Sequence, residues 1–131
     1  MKKLLLDTHV WLWLGVAPEK IAPSVLLQLE DPVNALFLSA ASSWEISIKY
    51  RLGKLPLPDP PGRFIADRLI RDGIHILPIG LQHTVRVADL PDHHTDPFDR
   101  LLVAQALAEN MTLVTADEKL LPYDCEKLLA I

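Results

Sequence analysis

The stretch Lys3-Leu4-Leu5-Leu6-Asp7-Thr8-His9-Val10-Trp11 decides how this chain is read. Lys3 to Leu6 is a continuous apolar-leaning run, which suits a strand buried on both faces of a parallel sheet. Asp7 then stands where the chain changes from extended to helical, with a short helix expected over Thr8 to Leu14 and ended by Gly15 and the Pro18 turn. The same junction recurs three times. Glu45 lies in LSAASSWEISIK (38–49), Asp99 in HTDPFDRLLVAQALAE (94–109) and Asp117 in LVTAD (113–117). Each acid follows a short apolar stretch or opens the helix after one. If those stretches are parallel strands, all four carboxylates leave the same edge of the sheet.

Outward from these junctions, strands and helices alternate. Helices are expected over Ile21 to Leu29, Ala41 to Leu52, Phe64 to Asp72, Leu81 to Leu90 and Pro97 to Asn110. Strands are expected over Ala35 to Leu38, Ile74 to Leu77, Leu113 to Thr115 and Lys127 to Ile131, with a helical turn at Glu118 to Leu121. Gly53 and Gly73 fit helix ends, and Asp31-Pro32 a stop. The prolines between Leu55 and Pro61 dictate an extended loop. The alternation implies an α/β sandwich of three layers around a mainly parallel sheet, in one domain over 1–131.

At 131 residues with 50% hydrophobic content, the chain can bury about two-thirds of its unfolded surface without staples. A net charge of −4 argues against nonspecific duplex binding through charge alone, although bound divalent ions would reverse the local potential. The single cysteine, Cys125, permits no internal disulfide and suits a reducing compartment. Asp7 and His9 interrupt the N-terminal apolar run, which therefore does not read as a secretory signal. No segment reaches the roughly 20 apolar residues of a membrane span. The expectation is a cytoplasmic protein.

Each acid also has a capping explanation. Asp7 can cap the helix after it, and Ser42-x-x-Glu45 and Thr115-x-x-Glu118 fit capping boxes. Asp96-Pro97-Phe98-Asp99 reads as N-cap, Pro at N1 and an acid in the first turn. Independent caps, however, have no reason to converge, whereas a metal site does. In open α/β sheets ligands bind beyond the carboxyl ends of the strands. Carboxylates gathered there repel unless a cation neutralises them, and an all-oxygen set suits Mg²⁺ or Mn²⁺. That combination points to metal-dependent phosphodiester chemistry.

Four spaced motifs, LLLDTHVWLW, SAASSWEISIKYRLGKL, DPFDRLLVAQALAE and LVTAD, resemble in type and order those of PIN-domain ribonucleases, and most closely the VapC-type toxins of toxin–antitoxin pairs. The resemblance spans essentially the whole chain. It implies a five-stranded sheet of order 3-2-1-4-5 and a Mg²⁺- or Mn²⁺-dependent endoribonuclease leaving 5′-phosphate and 3′-hydroxyl ends. By motif, Asp7, Glu45, Asp99 and Asp117 are the catalytic and metal-holding acids, with Asp96 a further ligand candidate and Thr115 the small polar residue beside the fourth acid. The resemblance also implies an RNA substrate, a VapB-type antitoxin covering the cleft, and a homodimer.

Lys49 and Arg100, basic residues that adjoin the acids, are the expected RNA contacts together with Thr115. Arg51, Lys54, Arg63, Arg68 and Arg71 fit a solvated helix surface equally well. His93 and His94 lack a zinc spacing, and His9 stands beside the first acid. Trp11, Trp13 and Trp44 read as core or interface residues with a capacity to stack bases. Leu12, Trp13, Leu26 and Leu29 divide between core and partner surface. Two alternatives remain at this point: another Mg²⁺-dependent phosphate hydrolase, for which the DxDxT signature is absent, and a catalytically inactive PIN-like module that binds protein.

Overall fold

Strand β1 (Lys3–Leu6) lies at the centre of a five-stranded sheet, between β2 (Ala35–Ser39) and β4 (Thr112–Thr115). β3 (His75–Leu77) and β5 (Lys127–Leu129) form the two edges, giving the order β3-β2-β1-β4-β5 with every pair parallel. The computed structural model describes residues 1–131. Six α-helices connect and cover the sheet: α1 (Thr8–Val16), α2 (Pro23–Glu30), α3 (Ala40–Arg51), α4 (Pro61–Asp72), α5 (Leu81–Arg86) and α6 (Pro97–Glu109). The expected strand order is the observed one. No helix is long and apolar enough to cross a membrane.

The core follows from the two-residue period of β1. Leu4 and Leu6 face Val10 and Trp11 of α1, Val25 and Leu29 of α2, Ile46 of α3 and Phe64 of α4. Leu5 points the other way, towards Leu102, Val103 and Ala106 of α6 and Leu120. All three leucines are wholly buried, as a central parallel strand with helices on both faces requires. Leu29 belongs to this core, while Leu12, Trp13 and Leu26 remain partly exposed around it. Helices α2, α4 and α6 each begin on proline, whose fixed φ suits N1 and whose missing N–H is no loss there.

Several boundaries differ from expectation, among them the start of α4, which begins on Pro61 instead of Phe64. The helix expected from Ile21 begins at Pro23, because Ile21 is extended after a 3₁₀ turn at Pro18–Lys20. The helix expected to reach Leu90 ends at Arg86 and tightens into a 3₁₀ turn over Val87–Asp89. Helix α1 runs through Gly15 instead of ending on it. Gly15 serves a packing purpose: a Cβ there would lie 2.1 Å from Arg68 Cζ.

Arg68 is accordingly not part of a basic surface. Its guanidinium is buried against Gly15, 4.1 Å above the Trp11 ring, and Nη2 donates to the Trp11 carbonyl at 2.8 Å. Asp72 lies 3.9 Å from Nε. The plate thus clamps α1 to α4 by stacking and one strong hydrogen bond.

Gly15→Ala should therefore destabilise the fold by about 1–3 kcal/mol, as overpacking against a locked side chain does. Gly62→Ala, where a Cβ meets nothing within 4 Å, should stay within about 0.5 kcal/mol of the parent. Urea unfolding of the two variants distinguishes them, and equal effects would contradict the clamp.

Candidate metal centre

The chain leaves β1 for β2 and β3, then returns to place β4 on the other side of β1. Strand order therefore reverses between β1 and β4, and the crevice beyond their carboxyl ends is where an α/β sheet accepts a ligand. Asp7 follows β1, Asp117 follows β4, Glu45 sits in α3 after β2, and Asp96 and Asp99 stand at the start of α6. All five line one open cleft of about 380 Å³, with Lys49 and His9 beside them. Cavities of about 420 and 410 Å³ elsewhere gather only two carboxylates each. Chemistry, not size, singles out this cleft.

Four of the five acids are oriented by specific donors. The Thr115 hydroxyl donates to Asp7 Oδ2 at 2.7 Å and accepts the Asp117 N–H at 3.0 Å, so one buried threonine ties together the first and last acids. The Thr8 hydroxyl donates to Glu45 Oε1 at 2.8 Å, and Lys49 Nζ lies 2.8 Å from Oε2. The expected capping box on Ser42 is not formed. Ser39 caps α3 by accepting the Ala41 N–H, and Glu45 is left to face the cleft. Asp96 is the N-cap of α6, its Oδ1 accepting from the N–H groups of Phe98 and Asp99 at 2.8 and 3.2 Å. Asp117 Oδ1 accepts the Lys119 N–H at 3.0 Å. His94 Nε2 lies 2.8 Å from Asp117 Oδ2 and 3.1 Å from Asp99 Oδ2.

Electrostatics records the crowding. Burial, reinforced by the negative charges of Asp7, Asp96 and Glu45, lifts the Asp99 carboxyl from its ordinary 3.8 to about 7, against the opposing pull of His94. Burial also raises Asp7, although the Thr115 hydrogen bond works the other way. At Asp117 burial pushes upward too, but the hydrogen bonds from Lys119 N–H and His94 outweigh it and hold the carboxyl below its ordinary value. The hydrogen bond to Glu45 raises Lys49. Carboxylate oxygens held close, one of them close to half-protonated at neutral pH, form a donor set that fits a hard divalent cation.

Other expected residues fall into three groups. Lys49 reaches the cleft wall, whereas Thr115 is fully buried and faces the acids, not solvent. Arg100 does not line the cleft. Its guanidinium donates to the carbonyls of Pro91, His94, Val87 and Leu90 and to the Tyr123 hydroxyl, which staples the loop ahead of α6. Trp11 is core, Trp13 lines the cleft, and Trp44 is largely exposed with its ring edge-on to Phe98 at 5.2 Å. His93 stacks on Tyr123. The residue that sequence reasoning missed is His94, whose only signal was its position two residues before Asp96.

A family model for the PIN domain matches residues 4–124. Over 56 residues, 43% of this chain, the sequence is 48% identical to Ribonuclease VapC16 of Mycobacterium tuberculosis; the aligned stretch spans 40% of that protein's length. Among solved structures, VapBC2 from Rickettsia felis, bound to a DNA fragment from its promoter, superposes with a TM-score of 0.72 at 18% identity, covering 98% of this chain and 99% of that one. VapBC-1 from nontypeable Haemophilus influenzae gives 0.67 at 18% identity, covering 97% of each chain. At those identities the superpositions speak for the fold.

The raised carboxyl makes a sign-definite prediction. Folded Asp99 holds its proton up to about 7, while the unfolded chain releases it near 3.8. Between those values the folded state binds more protons, so metal-free stability should fall as pH rises through that window and level off above it. Thermal melts in EDTA at about pH 5 and about pH 8 should show this drop, and Asp99→Asn should flatten it. Mg²⁺ or Mn²⁺ should raise the melting temperature more at the higher pH, where no proton competes. Parallel profiles for parent and variant would contradict the assignment.

Proposed function

Because the chain belongs to the PIN-domain family, we propose that it is a Mg²⁺- or Mn²⁺-dependent endoribonuclease that hydrolyses RNA phosphodiester bonds in the cleft of Asp7, Glu45, Asp99 and Asp117. We assign it the toxin role in a VapBC-type toxin–antitoxin pair. One observation carries the reading: carboxylates that follow β1, β2 and β4 and open α6 share one cleft, where burial and their mutual repulsion lift Asp99 to about 7, a state that a divalent cation relieves. The stretch shared with Ribonuclease VapC16 supports the substrate class.

In this reading Asp7, Glu45, Asp99 and Asp117 hold the cation, and Asp96 offers the oxygen its cap leaves free. A bound cation would acidify a water molecule and stabilise charge growing on phosphate oxygens. The chain's own residues do the rest. Thr115 and Thr8 orient Asp7 and Glu45 without neutralising them. Lys49, half-exposed and paired with Glu45, is assigned a phosphate contact. Thr115 acts through the acids, since it has no exposed surface for RNA. The likeness to VapBC structures supports an antitoxin partner, which we assign to the cleft, and a second copy of the chain completes the proposed assembly. Partly exposed Leu12, Trp13 and Leu26 are assigned to partner contact.

The test is partner-free protein incubated with total RNA in Mg²⁺, in Mn²⁺ and in EDTA. Discrete fragments should appear only with metal, and Asp7→Asn, which removes charge while keeping shape, should slow cleavage on the order of 100-fold or more. Equal cleavage in EDTA would refute the scheme. Phosphate release from small phosphomonoesters would indicate a different hydrolase, and inertness towards both a binding module.

A further inference from the structure

Resting on that reading of the cleft, we infer that His94 is a positioning residue: a ring protonated at Nε2 donates to Asp117 and fixes that carboxylate beside Asp99 for the cation without binding it. His94, Asp99 and Asp117 bring their ligand atoms within 4.8 Å of one another, which at first sight suggests a histidine-containing metal site. The other side of the ring decides against ligation. Nδ1 accepts the backbone N–H of Thr95 at 2.8 Å and that of Asp96 at 3.1 Å. Two donors aimed at one nitrogen require a lone pair there, so the ring proton resides on Nε2. A protonated nitrogen cannot ligate a cation. It can donate, and its acceptor is Asp117 Oδ2 at 2.8 Å, while Asp99 Oδ2 lies 3.1 Å away as a charge contact.

Two consequences follow from that single N–H. It fixes Asp117 through Oδ2 and leaves that acid's charge available to a cation. It also ties the loop that supplies Asp96 to the end of β4, 23 residues further along the chain. The same loop is anchored from behind, where the His94 N–H donates to the Tyr123 hydroxyl at 3.1 Å and Arg100 Nη1 reaches the His94 carbonyl at 3.3 Å. The backbone that carries the ring is therefore tied on both sides.

Two measurements test the inference. In metal-free protein at neutral pH, nitrogen–proton correlation spectra of the His94 ring should show a proton on Nε2, protected from exchange, and none on Nδ1. A proton on Nδ1 would overturn the inference, and that result would leave the nuclease reading intact. The second measurement is Mn²⁺ binding by calorimetry for the parent, His94→Asn and His94→Gln. Asparagine can still accept from Thr95 and Asp96 but falls short of Asp117, whereas the glutamine amide nitrogen reaches the place of Nε2. His94→Asn should weaken Mn²⁺ about 10–100-fold with the melting temperature little changed, and His94→Gln should recover most of the loss. Unchanged Mn²⁺ affinity in His94→Asn, or equal losses in both variants, would overturn the positioning role alone. A parent protein that binds no Mn²⁺ would overturn both this role and the cation-dependent reading it rests on.

Discussion

Negative charge concentrated where the strand order reverses is the constraint on which the site, and much of the surrounding structure, depends. Two unit charges 4 Å apart repel by about 4 kcal/mol at the effective dielectric of a protein surface. Five acids line a cleft of about 380 Å³, with Lys49 the one lysine or arginine beside them. Part of the compensation comes from the backbone. Asp7 occupies the N-cap position of α1 and Asp99 the first turn of α6, where the positive ends of helix dipoles face the carboxylates. The remainder is left unmet and adds to burial in raising the carboxyl of Asp99.

The parallel sheet makes such crowding hard to avoid and also makes it tolerable. The βα junctions of this fold open on the same edge, so Asp7, Glu45 and Asp117 converge there by strand order, and the loop before α6 brings Asp96 and Asp99 to them. Beneath the acids Leu4, Leu5 and Leu6 of the central strand are wholly buried and anchor both layers of helices. Stability resides in the leucine core, while strain collects at the strand ends. A cation that binds only the folded chain would then contribute to stability as well as chemistry.

How far the sequence carried depends on the range of the interaction being read. Strand and helix identity followed from local period and punctuation, and the β3-β2-β1-β4-β5 order agreed with the resemblance. The acids were legible because each sits at a junction whose direction is set by its own strand. Contacts across the fold were not. Arg68 looked like a surface cation, and only the missing Cβ of Gly15 and the Trp11 ring beside it reveal a buried clamp. Arg100 looked like an RNA contact because it adjoins Asp99, yet consecutive helical residues point about 100° apart, and Arg100 turns to the loop carbonyls. Ser42 fitted a capping box one turn late, since Ser39 ends β2 and caps α3 first. His94 carried no spacing signal at all, because its partners Asp99 and Asp117 meet only after β4 is laid beside β1.

The choice of donors around the acids separates a binding site from an ordinary ion-pair network. A buried arginine would hold a carboxylate well, but it would also satisfy its charge and leave nothing for a cation. At Asp7 and Asp117 the donors are the Thr115 hydroxyl, the Lys119 N–H and the His94 ring, none of them an arginine or a lysine side chain. These fix direction and conserve charge. Glu45 is the exception, paired with Lys49, yet that lysine is more than a third exposed. An i, i+4 pair so open to water contributes only a few tenths of a kcal/mol and is readily exchanged. The weakest of the four restraints thus belongs to the one side chain that could release its acid and turn to an incoming phosphate.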